Sequence, residues 1–277
     1  MMGRGHSLSG AAIFLGGSAA YSISTGEPVH PAFLVMGTSV VAGASLLPDL
    51  DSFTATVTKS FGFFGRILYY LTNSLSMAVF TITKTSRDEN KENGQRTFTH
   101  TLIGSILFGL LSLGLTSVPG SVDIFGQDTP LAEVFGLLIM AFLLHLATAG
   151  LFAPQIKKAK SKLGLLAPYI LMAFSVLTTI LVFFMLPEHT VNYQWLAAGV
   201  TGGMIIHILG DTITKMGTPL LWPIKIRGKR WYDVSLPAFL RITAGGTVEN
   251  AILIPIFVLV SVTGIVLHVL INTGVLA

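Results

Sequence analysis

The chain has no cysteine. That excludes disulfides and thiolate metal sites, and leaves any metal to His, Asp and Glu. Charge is scarce as well: 11% of the 277 residues are Asp, Glu, Lys or Arg, against 52% that are hydrophobic. Soluble domains carry about 25% charged residues, so a soluble fold of this composition would leave its surface uncovered. No His-Glu-x-x-His run occurs, which excludes a zinc protease of that type. No repeat of solenoid period is visible. What is present is apolar length, with a mean hydropathy of +0.74. These features imply an all-α polytopic membrane protein, a single helical bundle embedded over residues 1–277.

Seven apolar segments approach the roughly 17–25 residues that a membrane span needs. They lie near 8–24, 31–48, 98–118, 131–152, 164–187, 195–214 and 249–271. The first has a signal-peptide look, with Arg4 ahead of a Gly-rich apolar run and Ala19-Ala20 near its end. It is expected to stay as an uncleaved span. Charge sets the orientation. With the N-terminus in the cytoplasm, segments 1–7, 49–97, 153–163 and 215–248 lie inside and hold all 17 Lys and Arg. Segments 25–30, 119–130 and 188–194 lie outside and hold only acids, among them Glu27, Asp123, Asp128 and Glu188. Separation of this kind is the positive-inside pattern. Residues 61–83 are apolar too, but a crossing there would move Lys84 to Arg96 and the lysines of 157–162 outside. Arg66 and the aromatics Phe61, Phe63, Phe64, Tyr69 and Tyr70 fit an interfacial or re-entrant helix within an insert over about 52–97. A second, basic cytoplasmic loop is expected over about 215–248.

That topology gathers six ligand-type residues at the cytoplasmic face: His6, Asp49, Asp51, His100, His207 and Asp211. Ionisable groups at membrane helix ends are costly and mark function. His207 and Asp211 are i and i+4, one turn apart on one helix face. An isolated His-x-x-x-Asp pair is more often a polar helix end with no ligand. Asp49 and Asp51 follow Pro48, which turns the chain out of the membrane, and two carboxylates so close repel unless a cation or proton lies between them. His100 opens the third span, with Thr97 and Thr99 as its expected N-caps. A helix N-terminus disfavours a cationic imidazole, which keeps His100 neutral and able to ligate. Each signal has a bland alternative, a solvated turn or a helix-start histidine. Together they are stronger, because topology could have scattered them and does not. Of the other histidines, His30 and His189 read as outer loop residues, His268 as an outer-end residue, and His145 as a packed histidine bonded to a neighbour.

The motifs GHSLSG, LLPDLD, RTFTHT and HILGDTITKMGTPLLWP, in this order from residue 5 to about 223, resemble the YdjM family of inner-membrane metal-dependent hydrolases. The layout is also distantly similar to zinc-dependent bacterial phospholipases C. The resemblance implies that His6, Asp49, Asp51, His100, His207 and Asp211 are the metal positions. The further ligands of a three-zinc phospholipase site have no counterpart here.

Three imidazoles and three carboxylates suit one or two divalent ions, zinc first and manganese second. Six ligands exceed what one tetrahedral catalytic zinc uses, so two ions with a bridging carboxylate fit the count better. Asp51 is a candidate general base, Arg96 a candidate for a substrate phosphate, and Thr99 a support for a ligand through a hydrogen bond. For Arg96, plain positive-inside charge is the bland alternative. The expected activity is a metal-dependent hydrolase of phosphodiesterase or phospholipase type at the cytoplasmic membrane face. Membrane lipids and a lipid or small-molecule phosphoester are its expected partners. The basic run Lys225 to Trp231 suits anionic headgroups better than nucleic acid. Gly10, Gly37 and Gly43 allow close helix packing within or between chains. The competing classes are a transporter, whose site would sit near the bilayer midplane, and a metal-stabilised membrane scaffold.

Overall fold

The computed structural model describes residues 1–124, 126–185 and 193–276. It is mostly helical. Seven helices form on the expected apolar segments: α1 (Gly3–Thr25), α2 (Pro31–Ala44), α5 (Leu102–Leu115), α6 (Leu131–Leu151), α8 (Leu166–Phe183), α9 (Trp195–Thr212) and α10 (Ile254–Asn272). Between them lie α3 (Thr56–Ser60), α4 (Phe63–Thr83) and α7 (Ala153–Leu163). The all-α expectation needs one correction. Strands β1 (Ser121–Ile124) and β2 (Gln127–Pro130) pair antiparallel, with Ser121 opposite Pro130. Val122, Ile124 and Thr129 are good strand formers, and Gly126 takes the positive φ that a tight hairpin needs.

Four described stretches are long and apolar enough to cross a membrane: Pro31–Asp51, Leu131–Leu151, Leu166–Phe183 and Glu249–Asn272. The other three helices differ for physical reasons. α5 has 14 residues, about 21 Å at 1.5 Å per residue, short of the roughly 30 Å hydrocarbon layer. α1 and α9 are diluted by Gly, Ala, Ser and Thr, residues that suit helices packed against protein rather than lipid. By contrast, Leu177 and Leu181 on α8 and Leu259 and Val269 on α10 are exposed, as lipid-facing side chains would be.

α2 is the hub. It packs on α1, α6, α8 and α9, while α5 lies on α9 and α10 lies on α1. The core between these helices is Met36, Val40, Leu143, Leu146, Leu196, Val200 and Met204. Glycine permits the closest approaches. A Cβ at Gly43 would run into the Leu143 backbone, and one at Gly10 would stand 2.9 Å from the Val41 carbonyl oxygen. The expected close packing at these glycines is therefore made within the chain.

The chain leaves α2 through a 3₁₀ turn, Pro48–Asp51, and enters α5 through another, Phe98–His100. The expected apolar segment over 61–83 forms α4, which packs on both turns and leaves Phe63, Tyr70, Leu71 and Ile82 exposed. The lysine-rich inside segment over 153–163 forms helix α7. The loop after α9 folds back on itself through bridges Thr218–Val234 and Ile226–Lys229. Asp88 fastens it to the 84–97 loop. Its carboxylate accepts from the backbone N–H groups of Thr85, Arg230 and Trp231. Trp231 then closes a small core with Phe80 and Phe98, and Trp222 stacks on it.

Candidate metal centre

The six sequence-predicted ligands come from both ends of the chain and meet at one end of the bundle. His6 stands in the first turn of α1 and His207 and Asp211 in the last turns of α9. Asp49 and Asp51 lie in the turn after α2, and His100 in the turn before α5. α1 and α5 therefore start at this end while α2 and α9 finish there, and the helix ends are tied together. The Ser45 hydroxyl donates to the His6 carbonyl, and the Ser7 hydroxyl to Ala147 on α6.

His207 is locked by its Nδ1, which is 2.8 Å from the Ser45 carbonyl oxygen. A carbonyl only accepts, so Nδ1 carries the proton and Nε2 keeps a lone pair. His100 is fixed in the same sense. The Thr99 hydroxyl donates to Asp51 Oδ2 at 2.7 Å, so its oxygen is left to accept from His100 Nδ1 at 3.1 Å. Asp51 Oδ2 also lies 3.3 Å from His100 Nδ1. Both imidazoles thus present bare Nε2 atoms, and these stand 3.2 Å apart. Two lone pairs at that distance repel unless a cation or proton sits between them. Two zinc–nitrogen bonds of about 2.0–2.1 Å at a tetrahedral angle place their nitrogens about 3.4 Å apart.

Two overlapping groups of ligand atoms share His207. In one, His6, His207 and Asp211 come together; in the other, Asp49, His100 and His207, with the atoms of each group within 4.8 Å of one another. The His6 ring stacks on His207 with centroids 3.7 Å apart, and its Nε2 is 3.1 Å from Asp211 Oδ1. Asp211 Oδ2 lies 3.7 Å from His207 Nε2 and 4.0 Å from His100 Nε2. His6, His100, His207 and Asp211 are each at most 1% exposed. His6 Nδ1 and Asp51 Oδ1 are buried with no hydrogen-bond partner. Among the described residues, the half-buried Asp49 carboxylate has none either. Buried donors and acceptors are normally paired, so orphaned nitrogen and carboxylate atoms around facing Nε2 lone pairs fit a divalent cation.

Thr99 hydrogen-bonds His100, as expected of a ligand support, but other expectations for Asp51, Thr97, Thr99 and Arg96 meet a different arrangement. Asp51 belongs to neither ligand group and instead sits behind His100, the carboxylate–histidine arrangement that fixes a metal-binding ring. Thr99 is not a helix cap, because its hydroxyl is taken by Asp51. Thr97 lies before the 3₁₀ turn, and the α5 N-cap is Thr101, with extended backbone and its side chain accepting from Gly104 N at 2.9 Å. The Arg96 guanidinium is not free; its Nη2 pairs with Asp211 Oδ2 at 3.1 Å. Its backbone N–H donates to Asp51 Oδ2 at 3.1 Å. Arg96 takes a left-handed φ of 54°, rare for a residue with a side chain, and so touches both carboxylates at once. Its side chain is 19% exposed, at the rim. Lys91 Nζ donates to the Arg96 carbonyl at 2.9 Å, and burial holds this ammonium below its ordinary range.

Sequence reasoning missed two supports. Glu249, fully buried in the turn leading into α10, accepts from the backbone N–H groups of Met2 and Gly245 at 2.8 Å each. This holds the segment that carries His6, and the Met1 amine donates to Asp211 Oδ1. A lone acid at the head of an apolar run was the available signal for Glu249. The Ser45 carbonyl leaves no signal, since every residue has one. Of the histidines set aside, His145 bonds Ser60 Oγ at 2.9 Å and packs on Phe61, as expected of a packed histidine. His30 is a loop residue, as expected, and its Nδ1 caps α2 by accepting from the Ala32 backbone N–H; His268 bonds Ser18 Oγ. His189 and Glu188 lie outside the described residues.

No curated protein and no solved structure matches the chain. A family model described as YdjM inner membrane protein matches residues 1–152 and 165–273. That match carries every residue of the centre and runs from the first helix to the last: the chain belongs to the YdjM inner membrane protein family.

Proposed function

We propose that the protein is a metal-dependent hydrolase of the inner membrane, acting on a phosphoester of a lipid headgroup or a related molecule at the cytoplasmic face. In this reading α1, α2, α5, α6, α8, α9 and α10 all cross, with the N-terminus inside. The alternating helix directions and the placing of all 17 basic residues on one side support it. The observation that carries the metal reading is the pair of tautomer-fixed Nε2 atoms 3.2 Å apart.

His6, His207 and Asp211 would hold one ion, with His207 giving it its single bare Nε2, and Asp49 with His100 would hold that ion from the other side or, without His207, a second. When bound, zinc or manganese supplies Lewis acidity and makes water acidic enough to lose a proton near neutral pH. The chain does the rest. Asp51 orients His100 through Oδ2, and its unpartnered Oδ1 is the candidate proton acceptor. Arg96 and Lys91 place positive charge at the rim, where a phosphate would develop negative charge. Hydrolysis breaks one phosphorus–oxygen ester bond, with a water hydroxyl going to phosphorus and a proton to the departing alkoxide.

A second reading, a metal-stabilised scaffold, is favoured by the near-complete burial of His6, His100, His207 and Asp211. A transporter is the weaker alternative, because the ionisable cluster lies at helix ends. The deciding measurement is metal content by mass spectrometry for wild type, His207→Ala and Asp49→Ala. One or two equivalents, lost in both variants, supports a shared centre. No metal after reconstitution would sink the hydrolase reading. Asp51→Asn that keeps its metal and loses phosphoester turnover favours the enzyme over the scaffold.

A further inference from the structure

Two adjoining cavities lie away from the centre, where α3, α4, α7 and α8 meet. One, of about 460 Å³, is lined by Lys59 and Arg66 with Phe53, Phe63, Leu165 and Tyr169 among its walls. The other, of about 520 Å³, is lined by Lys59 and Lys157 beside Ser60 and Ile156. Each falls within the roughly 300–1,000 Å³ of small-ligand sites. Lys59 and Pro168 belong to both.

The charge in this place is uncompensated. No Asp or Glu lines either cavity. Among the described residues, Lys59, Arg66 and Lys157 have no ion pair and no side-chain hydrogen bond. Elsewhere, Arg96 is held by Asp211 and Lys229 by Glu89. Three free cations around apolar walls match one kind of molecule, an anionic phosphate joined to hydrocarbon. The apolar wall continues onto the exposed face of α4 through Phe63 and Phe64, which gives acyl chains a path out to the bilayer. An amphipathic helix with a cationic and aromatic edge is also the kind of element that lies at a lipid interface.

We propose that Lys59, Arg66 and Lys157 form a binding site for the phosphate of an anionic glycerophospholipid, separate from the metal centre. The site rests on the chain lying in a membrane and not on the hydrolase reading. It is joined to the centre mechanically. Thr58, on the cavity wall, donates its hydroxyl to the Ser52 carbonyl at 2.9 Å, the residue that follows the Asp49–Asp51 turn. A lipid seated here braces the turn that carries both aspartates.

The test is native mass spectrometry of the full chain in detergent, with phosphatidylglycerol, phosphatidylcholine or free glycerol phosphate added. Wild type is expected to retain phosphatidylglycerol and to release the other two. Each cation removed weakens an anionic lipid by about fivefold, from roughly 1 kcal/mol per basic residue. The Lys59→Gln/Arg66→Gln/Lys157→Gln triple variant is therefore expected to bind roughly a hundredfold more weakly. The charge-keeping Lys59→Arg/Arg66→Lys variant and the distant Lys225→Gln/Arg227→Gln variant keep wild-type binding. Retention by the triple variant, or an equal loss in the distant one, overturns the proposal in favour of diffuse attraction. Equal capture of phosphatidylcholine overturns it in favour of an unselective apolar groove. Tight binding of free glycerol phosphate overturns the lipid assignment. If the triple variant fails to fold, Lys157→Gln alone decides, with a fivefold loss expected and no loss refuting the site.

Discussion

Thr99→Val removes one hydroxyl and almost no volume at a fully buried position. The hydroxyl has two contacts: it donates to Asp51 Oδ2 at 2.7 Å and accepts from His100 Nδ1 at 3.1 Å. Asp51 Oδ2 keeps the Arg96 backbone N–H at 3.1 Å, so the carboxylate is not stranded. Losing a hydrogen bond to a charged group costs about 1.5–3 kcal/mol of stability. The larger consequence is at His100. With Thr99 silent, the ring is held at Nδ1 by Asp51 alone, at 3.3 Å, and its tautomer and tilt are less constrained. Removing a partner of this kind weakens metal binding by about 10–100-fold, or roughly 1.4–2.7 kcal/mol. At saturating metal, the stabilisation gained on binding falls by the same amount. The assay is zinc competition against a chromophoric chelator on detergent-purified protein, with thermal unfolding measured with and without metal. Thr99→Ser is expected to match wild type. If Thr99→Val binds zinc within twofold of wild type while Asp211→Ala does not bind, the argument that Thr99 sets the His100 ring is wrong.

Further expectations concern other parts of the molecule. Asp211→Ala strands the Met1 amine, His6 Nε2 and the Arg96 guanidinium at once, so it is expected to lose metal and about 3–5 kcal/mol of stability. Unchanged thermal unfolding would contradict the cluster. Gly43→Ala drives a methyl into the Leu143 backbone and is expected to cost about 1–3 kcal/mol by overpacking, read as a lower Tm in detergent. Burial opposes ionisation of Asp88, but N–H groups of Thr85, Trp231 and Arg230 and the Thr85 hydroxyl outweigh it and hold the carboxyl below its ordinary value. A depressed carboxyl stabilises the fold above its unfolded pKa, near 3.8, and that contribution disappears as pH falls through the lower folded value. Asp88→Asn is expected to lose it at neutral pH and loosen the Trp222–Trp231 stack, visible in tryptophan fluorescence; an unchanged spectrum and protease sensitivity would refute this. Cysteines placed singly at residues 90 and 123 of this cysteine-free chain are expected to label from opposite sides of the membrane, and labelling from one side would overturn the seven-span topology.

The sequence alone determined that this is an apolar helical protein and where its helices lie, because membrane spans are set by length and hydropathy, which are local properties. It also singled out the six His and Asp residues that the structure gathers at one end of the bundle, because His and Asp are expensive at apolar helix ends and therefore conspicuous. Periodicity could not tell lipid-facing helices from protein-facing ones; α1 and α9 are diluted with small residues because they are packed by their neighbours. The hairpin at 121–130 was hidden because two four-residue strands carry too little pattern between long apolar runs. Only the tertiary structure decided what each polar group does. Thr99 looks like a cap in sequence, yet its hydroxyl is claimed by Asp51, 48 residues away. Arg96 looks like a free cation, yet Asp211 lies against it. The tautomer of His207 depends on the carbonyl of Ser45, 162 residues distant in the chain, and a backbone carbonyl has no signature in any sequence. Long-range hydrogen bonds fix where protons and lone pairs sit, and those positions exist only once the helices are packed.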